Sequence, residues 1–237
     1  MPDFDNNYSK FVEEYMAIFE PLFQKAFEVS KFNLIMTMLA VRGVSDDGWN
    51  PFENTEDVFE EVYKQQSKFR GSLGFNINLW MYLHLIECSE HYEIVANLLN
   101  TAKGKDYIVA NHVNKKFANL KVEQKIDKLK SIAKSTDFEN VSVPFEEAFD
   151  NRLRNAIGHG DYAIKSSDRA GVTIADDSGF PTIYDLQKTN DLVNRSVAPH
   201  VVIRSILNQF SACYTMSELI TSSPVVCNVT PIHIKLK

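Results

Sequence analysis

A mainly α-helical fold carrying one small β element is predicted by three features of this chain. Apolar residues recur at three- and four-residue intervals over most of its length. Short β-prone runs appear only after residue 170, on either side of Asp176-Asp177-Ser178-Gly179. Apolar content of 44% with sixteen Phe excludes a disordered chain, and 237 residues suffice for a substantial core.

The elements follow in order. Residues 8–30 read as a helix, with Phe11, Tyr15, Ile18, Phe19, Leu22, Phe23 and Phe27 on one broad face. Pro21 inside that pattern is expected to kink or divide it. Asn33 to Val41 reads as a buried helix ending near Gly43. Ser45 to Pro51 holds turn chemistry, and Asn54 or Thr55 is placed to cap a helix to about Phe69, with Val58, Phe59 and Val62 inward. After Gly71 and Gly74 a long helical stretch covers about Ile77 to Ala102. Lys105 to Asn119 reads as helical, and Val122, Ile126, Leu129 and Ala133 stripe a further helix whose lysines project elsewhere. Lys134 to Val143 is a polar connection, and Pro144 suits the first turn of the next helix. Gly171-Val-Thr-Ile-Ala and Pro181-Thr-Ile-Tyr are expected to form a hairpin. Asp191 to Leu219 closes the helical set, with Pro199 as a kink or break, and residues 224–237 read as an edge strand or tail. The expected organisation is one α-helical domain: an N-terminal helical extension (1–71), a core (72–222) and a tail (223–237).

No window reaches the roughly 18–20 uninterrupted apolar residues of a membrane span. The start, Met1 to Asp5, lacks a basic region followed by an apolar run, so no secretory signal is expected. Cys88, Cys213 and Cys227 are few and widely spaced, the pattern of reduced thiols in a cytoplasmic protein. The net charge of −6 argues against a protein that coats nucleic acid generally. Its distribution is uneven: nine lysines and three acids between Lys103 and Lys134 make a basic segment on an acidic body. Lys115, Lys116, Lys121, Lys125 and Lys128 are its candidate polyanion contacts.

The stretch carrying chemistry runs from Asp150 to Tyr162, Asp-Asn-Arg-Leu-Arg-Asn-Ala-Ile-Gly-His-Gly-Asp-Tyr. Phe145, Phe149, Leu153, Ala156 and Ile157 set one apolar helix face. Asn151, Asn155 and His159 align opposite, with Glu147, Asp150 and Arg154 in a second polar row beside them. Gly158 and Gly160 suit the helix end. A permanently charged fork beside a titratable ring is a pairing suited to phosphate chemistry.

Arg154-Asn155-x-x-x-His159, followed by Gly160 and Tyr162, resembles the R-x(4–6)-H signature of HEPN domains. The resemblance is local to about residues 144–164 and architectural over the neighbouring helices. It implies a HEPN-like helical bundle, usually a homodimer in which two motifs meet across the interface. It further implies a metal-independent endoribonuclease of a toxin–antitoxin or antiviral defence system, with no cofactor. Other members are non-catalytic modules that bind RNA or a protein partner.

The chemistry can also be argued from the residues. RNA is cleaved without metal when its 2′-hydroxyl attacks the adjacent phosphate. A proton must leave that hydroxyl, another must reach the departing 5′-oxygen, and charge gathers on the phosphate oxygens. Histidine suits the proton steps and an arginine fork suits the charge. Arg154 is therefore read as the phosphate group's partner, His159 as acid/base or 2′-hydroxyl orienter, and Asn155 as a hydrogen-bonding support. Asp150 and Tyr162 are further supporting candidates. One copy supplies one ring and one fork, and a symmetric pair supplies two of each. The partners expected are RNA, a second copy, and an antitoxin or defence-system protein, with no membrane.

Other patterns are weaker. His84, Glu87, Cys88 and His91 would share one face of a continuous helix, but a single straight helix seldom closes a tetrahedral metal site. Cys88 reads as a small core residue, not a nucleophile. His112 and His200 have no motif around them. Nothing resembles a phosphate-binding glycine loop, which argues against nucleotide hydrolysis.

Overall fold

A computed structural model describes residues 4–41, 51–65, 68, 71–107, 117, 119–134, 136–165, 171–174 and 181–213. The expected contacts Lys115 and Lys116, His112, the turn at 176–179, the end of the last expected helix (214–219) and the tail at 224–237 lie outside the described residues. The chain is mainly helical, with a small three-stranded antiparallel sheet.

The helices are α1 (Phe4–Val29), α2 (Lys31–Val41), α3 (Pro51–Gln65), α4 (Gly71–Glu87), α5 (Ser89–Ala102), α6 (Val122–Ala133), α7 (Val143–Ala148), α8 (Asn151–His159) and α9 (Leu186–Cys213). A 3₁₀ turn, Glu139–Ser142, leads into α7. The strands are β1 (Tyr162–Lys165), β2 (Gly171–Ile174) and β3 (Thr182–Asp185). Neither Pro21 nor Pro199 divides its helix, since α1 and α9 continue through them. Pro144 lies in the first turn of α7, where a missing N–H costs nothing.

Several expectations are corrected. The stretch 77–102 is two helices, because Cys88 takes an extended ψ of 111° between α4 and α5. Helix α3 begins at Pro51, so Asn54 and Thr55 both lie inside it and not at its N-cap. Val58 is exposed there while Phe59 is buried. Lys105 to Tyr107, Phe117 and Asn119 are not helical. The helix expected across 144–160 is also broken, at Phe149 and Asp150, both extended. Strand β1 was not anticipated. Its register with β2 pairs Tyr162 with Ile174, and β2 pairs Val172 with Tyr184 of β3.

Two apolar clusters share α9. One gathers α1, α2, α5, α6 and α7 around Phe19, Phe23, Tyr92, Leu129, Phe145 and Val202. The other gathers α3, α4, α8, β2 and β3 around Leu79, Tyr82, Leu153, Val172 and Val197. Tyr8 and Phe149 pack against both. Each large side chain so buried contributes roughly 1.5–3 kcal/mol of transfer free energy. Helix α8 is thus fixed against α4 and β2 through Leu153, Ala156 and Ile157, leaving its polar side outward.

Candidate functional site

Helix α8 is short, and its two ends are closed by specific bonds. At the start, Asp150 is the N-cap: its carboxylate accepts the Leu153 N–H at 3.0 Å. The Tyr184 hydroxyl on β3 donates to the same carboxylate, 3.0 Å from each oxygen. The backbone N–H of Asp150 donates to the Tyr82 hydroxyl oxygen at 3.0 Å, which ties the helix start to α4. Burial, and then the neighbouring Asp150 charge, push the Tyr184 hydroxyl above the ordinary tyrosine range, so it remains a donor. Asp150 therefore supports the site by holding α8 in place.

At the other end Gly160 takes the left-handed conformation, φ 76° and ψ 15°, that glycine adopts freely. The Asp161 N–H then closes back onto the Ala156 carbonyl at 2.8 Å. His159 is exposed on this last turn. Tyr162 begins β1, and its hydroxyl donates to Asn76 Oδ1 at 2.6 Å, anchoring the strand to α4.

Arg154 is half-buried and faces the end of α4. Its Nε donates to Glu87 Oε1 at 2.5 Å, and one terminal nitrogen pairs with the same oxygen. The other terminal nitrogen donates to Asn155 Oδ1 at 2.8 Å. The structure thus brings Arg154 and Asn155 together. On a regular helix Arg154 and His159 are roughly 7.5 Å apart along the axis and about 140° apart around it. Arg154 leans to α4 while Asn151, Asn155 and His159 line the outer row.

The expectation that the α6 lysines project from the apolar stripe is corrected at Lys125, which is 2% exposed. Its ammonium donates to the Glu87 carbonyl at 2.6 Å, lies 4.0 Å from the Glu87 carboxylate, and sits 5.5 Å over the Tyr92 ring. Burial lowers its pKa, opposed by Glu87 and the nearby acids. Lys125 is therefore a buried partner of Glu87. Lys121 is exposed at the start of α6, and the Lys128 ammonium lies 4.3 Å over the Phe117 ring.

The break at Cys88 also separates His84 and Glu87 from His91, which turns into the core. His91 Nε2 and His200 Nδ1 meet at 2.8 Å, with the Phe59 ring 4.5 Å from the His200 ring. Among the described residues, no group of three or more His, Cys, Asp or Glu side chains is arranged to hold a metal. Cys88 is buried, its thiol pushed well up by burial and then by Glu90, and it donates to Glu90 at 3.1 Å. An open cleft of about 310 Å³ elsewhere is walled by Glu147, Asp185, Lys188 and Arg195 and includes neither Arg154 nor His159.

Sequence reasoning missed Glu87 as the partner of Arg154, and it missed Asn76, Tyr82 and Tyr184. No local spacing signals a pair 67 positions apart. The Asp150 cap was missed as well, although an Asp three residues ahead of Leu153 is its local signal. Comparison with known proteins finds no family model, no curated protein and no solved structure that matches the chain.

Proposed function

We propose that this chain is a metal-independent endoribonuclease acting on single-stranded or loop RNA, and that it works as a HEPN-like homodimer. The observation that carries the reading is a half-exposed guanidinium, fixed on a helix closed at both ends, with an exposed imidazole on that helix's last turn. In the proposed step the 2′-hydroxyl gives up its proton as its oxygen bonds to phosphorus. The bond from phosphorus to the 5′-oxygen breaks, and that oxygen takes a proton. The products are a 2′,3′-cyclic phosphate and a 5′-hydroxyl. Arg154 neutralises the phosphate oxygens, and His159 exchanges a proton or orients the 2′-hydroxyl. Asn155 fixes one end of the fork. The two ends of the motif diverge around one helix, so a second copy is the economical way to set a ring against a fork.

The outer face of α4 is the proposed contact between copies. Leu73 and Trp80 are each 56% exposed there, and His84 is exposed on the same stripe. Asn76 and Glu87, which hold Tyr162 and Arg154, flank that stripe on one side of α4, so pairing across it brings the two motifs near one another. Among the described residues no helix is long and apolar enough to cross a membrane. The role proposed is that of a cytoplasmic toxin or antiphage effector.

The test is cleavage of a labelled single-stranded RNA in EDTA, with the ends examined for cyclic phosphate. Arg154→Ala and His159→Ala each lower the rate at least about a hundredfold with the helical circular dichroism unchanged. If both variants cut as well as the parent, the site is misassigned. Growth arrest on expression, relieved by His159→Ala, is the cellular counterpart.

A second reading is favoured by one observation: Glu87 already occupies much of the Arg154 fork. It makes the chain a non-catalytic module that binds RNA or a protein partner, such as an antitoxin or defence component. That reading predicts no turnover by the parent and salt-sensitive RNA binding through Lys121 and its neighbours.

A further inference from the structure

Arg154 has five N–H donors, and Glu87 and Asn155 engage Nε and both terminal nitrogens. Two donors remain, one on each terminal nitrogen. The guanidinium is therefore held along one edge and through Asn155, and it is still able to donate to two phosphate oxygens.

The group holding it is itself held. Lys125 is buried at the end of the first turn of α6, among the apolar positions Val122, Ile126 and Leu129. Burying an ammonium is costly unless it is paired, and nothing in the apolar stripe calls for one. Its donor reaches the Glu87 carbonyl at 2.6 Å, and its charge lies 4.0 Å from the Glu87 carboxylate. The pair that results, Glu87 with Arg154, is about one-third exposed on each side and adds little to folding. A buried cation has thus been placed behind a surface carboxylate whose other partner is the Arg154 guanidinium. Such an arrangement restricts Glu87 and, through it, Arg154.

We propose that Glu87 is a positioning residue for Arg154, backed by Lys125, and that it presents the guanidinium to substrate phosphate in one orientation. This rests on the ribonuclease reading for its consequence in catalysis. The orientation itself can be observed without turnover. A loosened fork still attracts RNA by charge but meets the transition state in many geometries, so the rate suffers while binding does not.

The experiment uses the full chain, with Glu87→Ala and Glu87→Gln compared with the parent. Single-turnover cleavage of a single-stranded RNA is measured in EDTA over a range of protein concentrations, and hydrogen exchange of the Arg154 Nε–H is followed by NMR. Glu87→Ala is expected to slow cleavage roughly ten- to a hundredfold, with half-saturation within about twofold of the parent. Glu87→Gln keeps the acceptor oxygen and recovers most of the rate. The Nε–H exchanges slowly in the parent and rapidly in Glu87→Ala. Faster cleavage with tighter binding in Glu87→Ala makes Glu87 a competitor of the phosphate and overturns the proposal. So does an Nε–H signal indifferent to Glu87. Should the parent cut no RNA, the ribonuclease reading fails, and the Nε–H result alone decides whether Glu87 positions the fork.

Discussion

Glu87 closes α4 at the point where Arg154 leaves α8, and Asp150 starts α8 where Tyr184 leaves β3. Arg154 and Asp150 are thereby each matched by a residue from another element. The buried imidazoles are matched differently, by each other. His200 is pushed down to about 4 by burial and then by the His84 charge. His91 is held well below its usual value by burial, then by His200 and His84. Both are neutral in the folded chain, whereas the unfolded chain takes up protons near pH 6.5. The unfolded state therefore binds more protons below pH 6.5, and stability falls as the pH drops from there toward 4. For His200 the full loss is on the order of 3 kcal/mol. Glu93 acts in the opposite sense: burial, and then Glu90, push it up to about 7, which favours the folded state as the pH falls through that value. The imidazole contribution is therefore read as a difference. Urea unfolding of the parent and of His200→Phe at pH 7.5 and pH 5 should show the parent losing more stability on acidification. Equal losses would mean that His200 is protonated without penalty.

At the scale of elements, the apolar rhythm located the helices, and local hydrogen bonds decided where they stop. Phe145, Phe149 and Leu153 continue one stripe across the α7–α8 break, so periodicity alone reads a single helix. The break follows from Asp150, whose N–H goes to Tyr82 and whose carboxylate caps Leu153. Only the second of these bonds has a local signature. The long stretch through Cys88 hid its break in the same way. Arg154, Asn155 and His159 were legible as polar positions on one helix, but Glu87 and Lys125 were not, since a partner across the fold leaves no spacing to read. The lysine pattern misleads at Lys125 because a lysine beside an apolar stripe is normally solvated, and this one is buried against a counter-charge. Strand β1 follows the motif by one turn and is too short to show alternation. The sheet supplies the sharpest element-scale prediction. A Cβ at Gly171 would lie 2.2 Å from the Tyr184 backbone oxygen, and backbone cannot yield as a side chain can. Gly171→Ala should therefore separate β2 from β3 and pull Tyr184 from Asp150, at a cost of about 1–3 kcal/mol. Thermal melting checks it, and an unchanged melting temperature would show that the two strands do not approach so closely in solution.

For the whole molecule the decisive feature is what the two clusters leave uncovered. Helix α4 packs Leu79, Tyr82 and Ile86 inward, and its opposite side carries Leu73 and Trp80, both more than half exposed. Isolated exposed apolar groups are ordinary on a soluble protein, but a tryptophan seven positions from a leucine on one helix makes a stripe. In the proposed homodimer Trp80 is the central anchor, the residue type most enriched where binding energy concentrates. Two copies of the stripe, with the adjoining polar side of α8, have to approach the roughly 800 Å² per partner typical of a stable interface. Light scattering should accordingly give a mass near twice the 27.0 kDa of one chain. Trp80→Glu places a charge on each side of the two-fold axis and removes the anchor. It should weaken association at least about thirtyfold, the effect of losing 2 kcal/mol or more of binding energy. Because Trp80 lies outside both clusters, the thermal stability of the separated chains should stay within about 0.5 kcal/mol of the parent. RNA cleavage should fall with the dimer fraction and return at high protein concentration, since the variant leaves Arg154, His159 and Glu87 in place. A Trp80→Glu protein that remains dimeric and active would locate the contact on another face. A monomeric parent that cuts RNA would show that one helix end suffices for the chemistry.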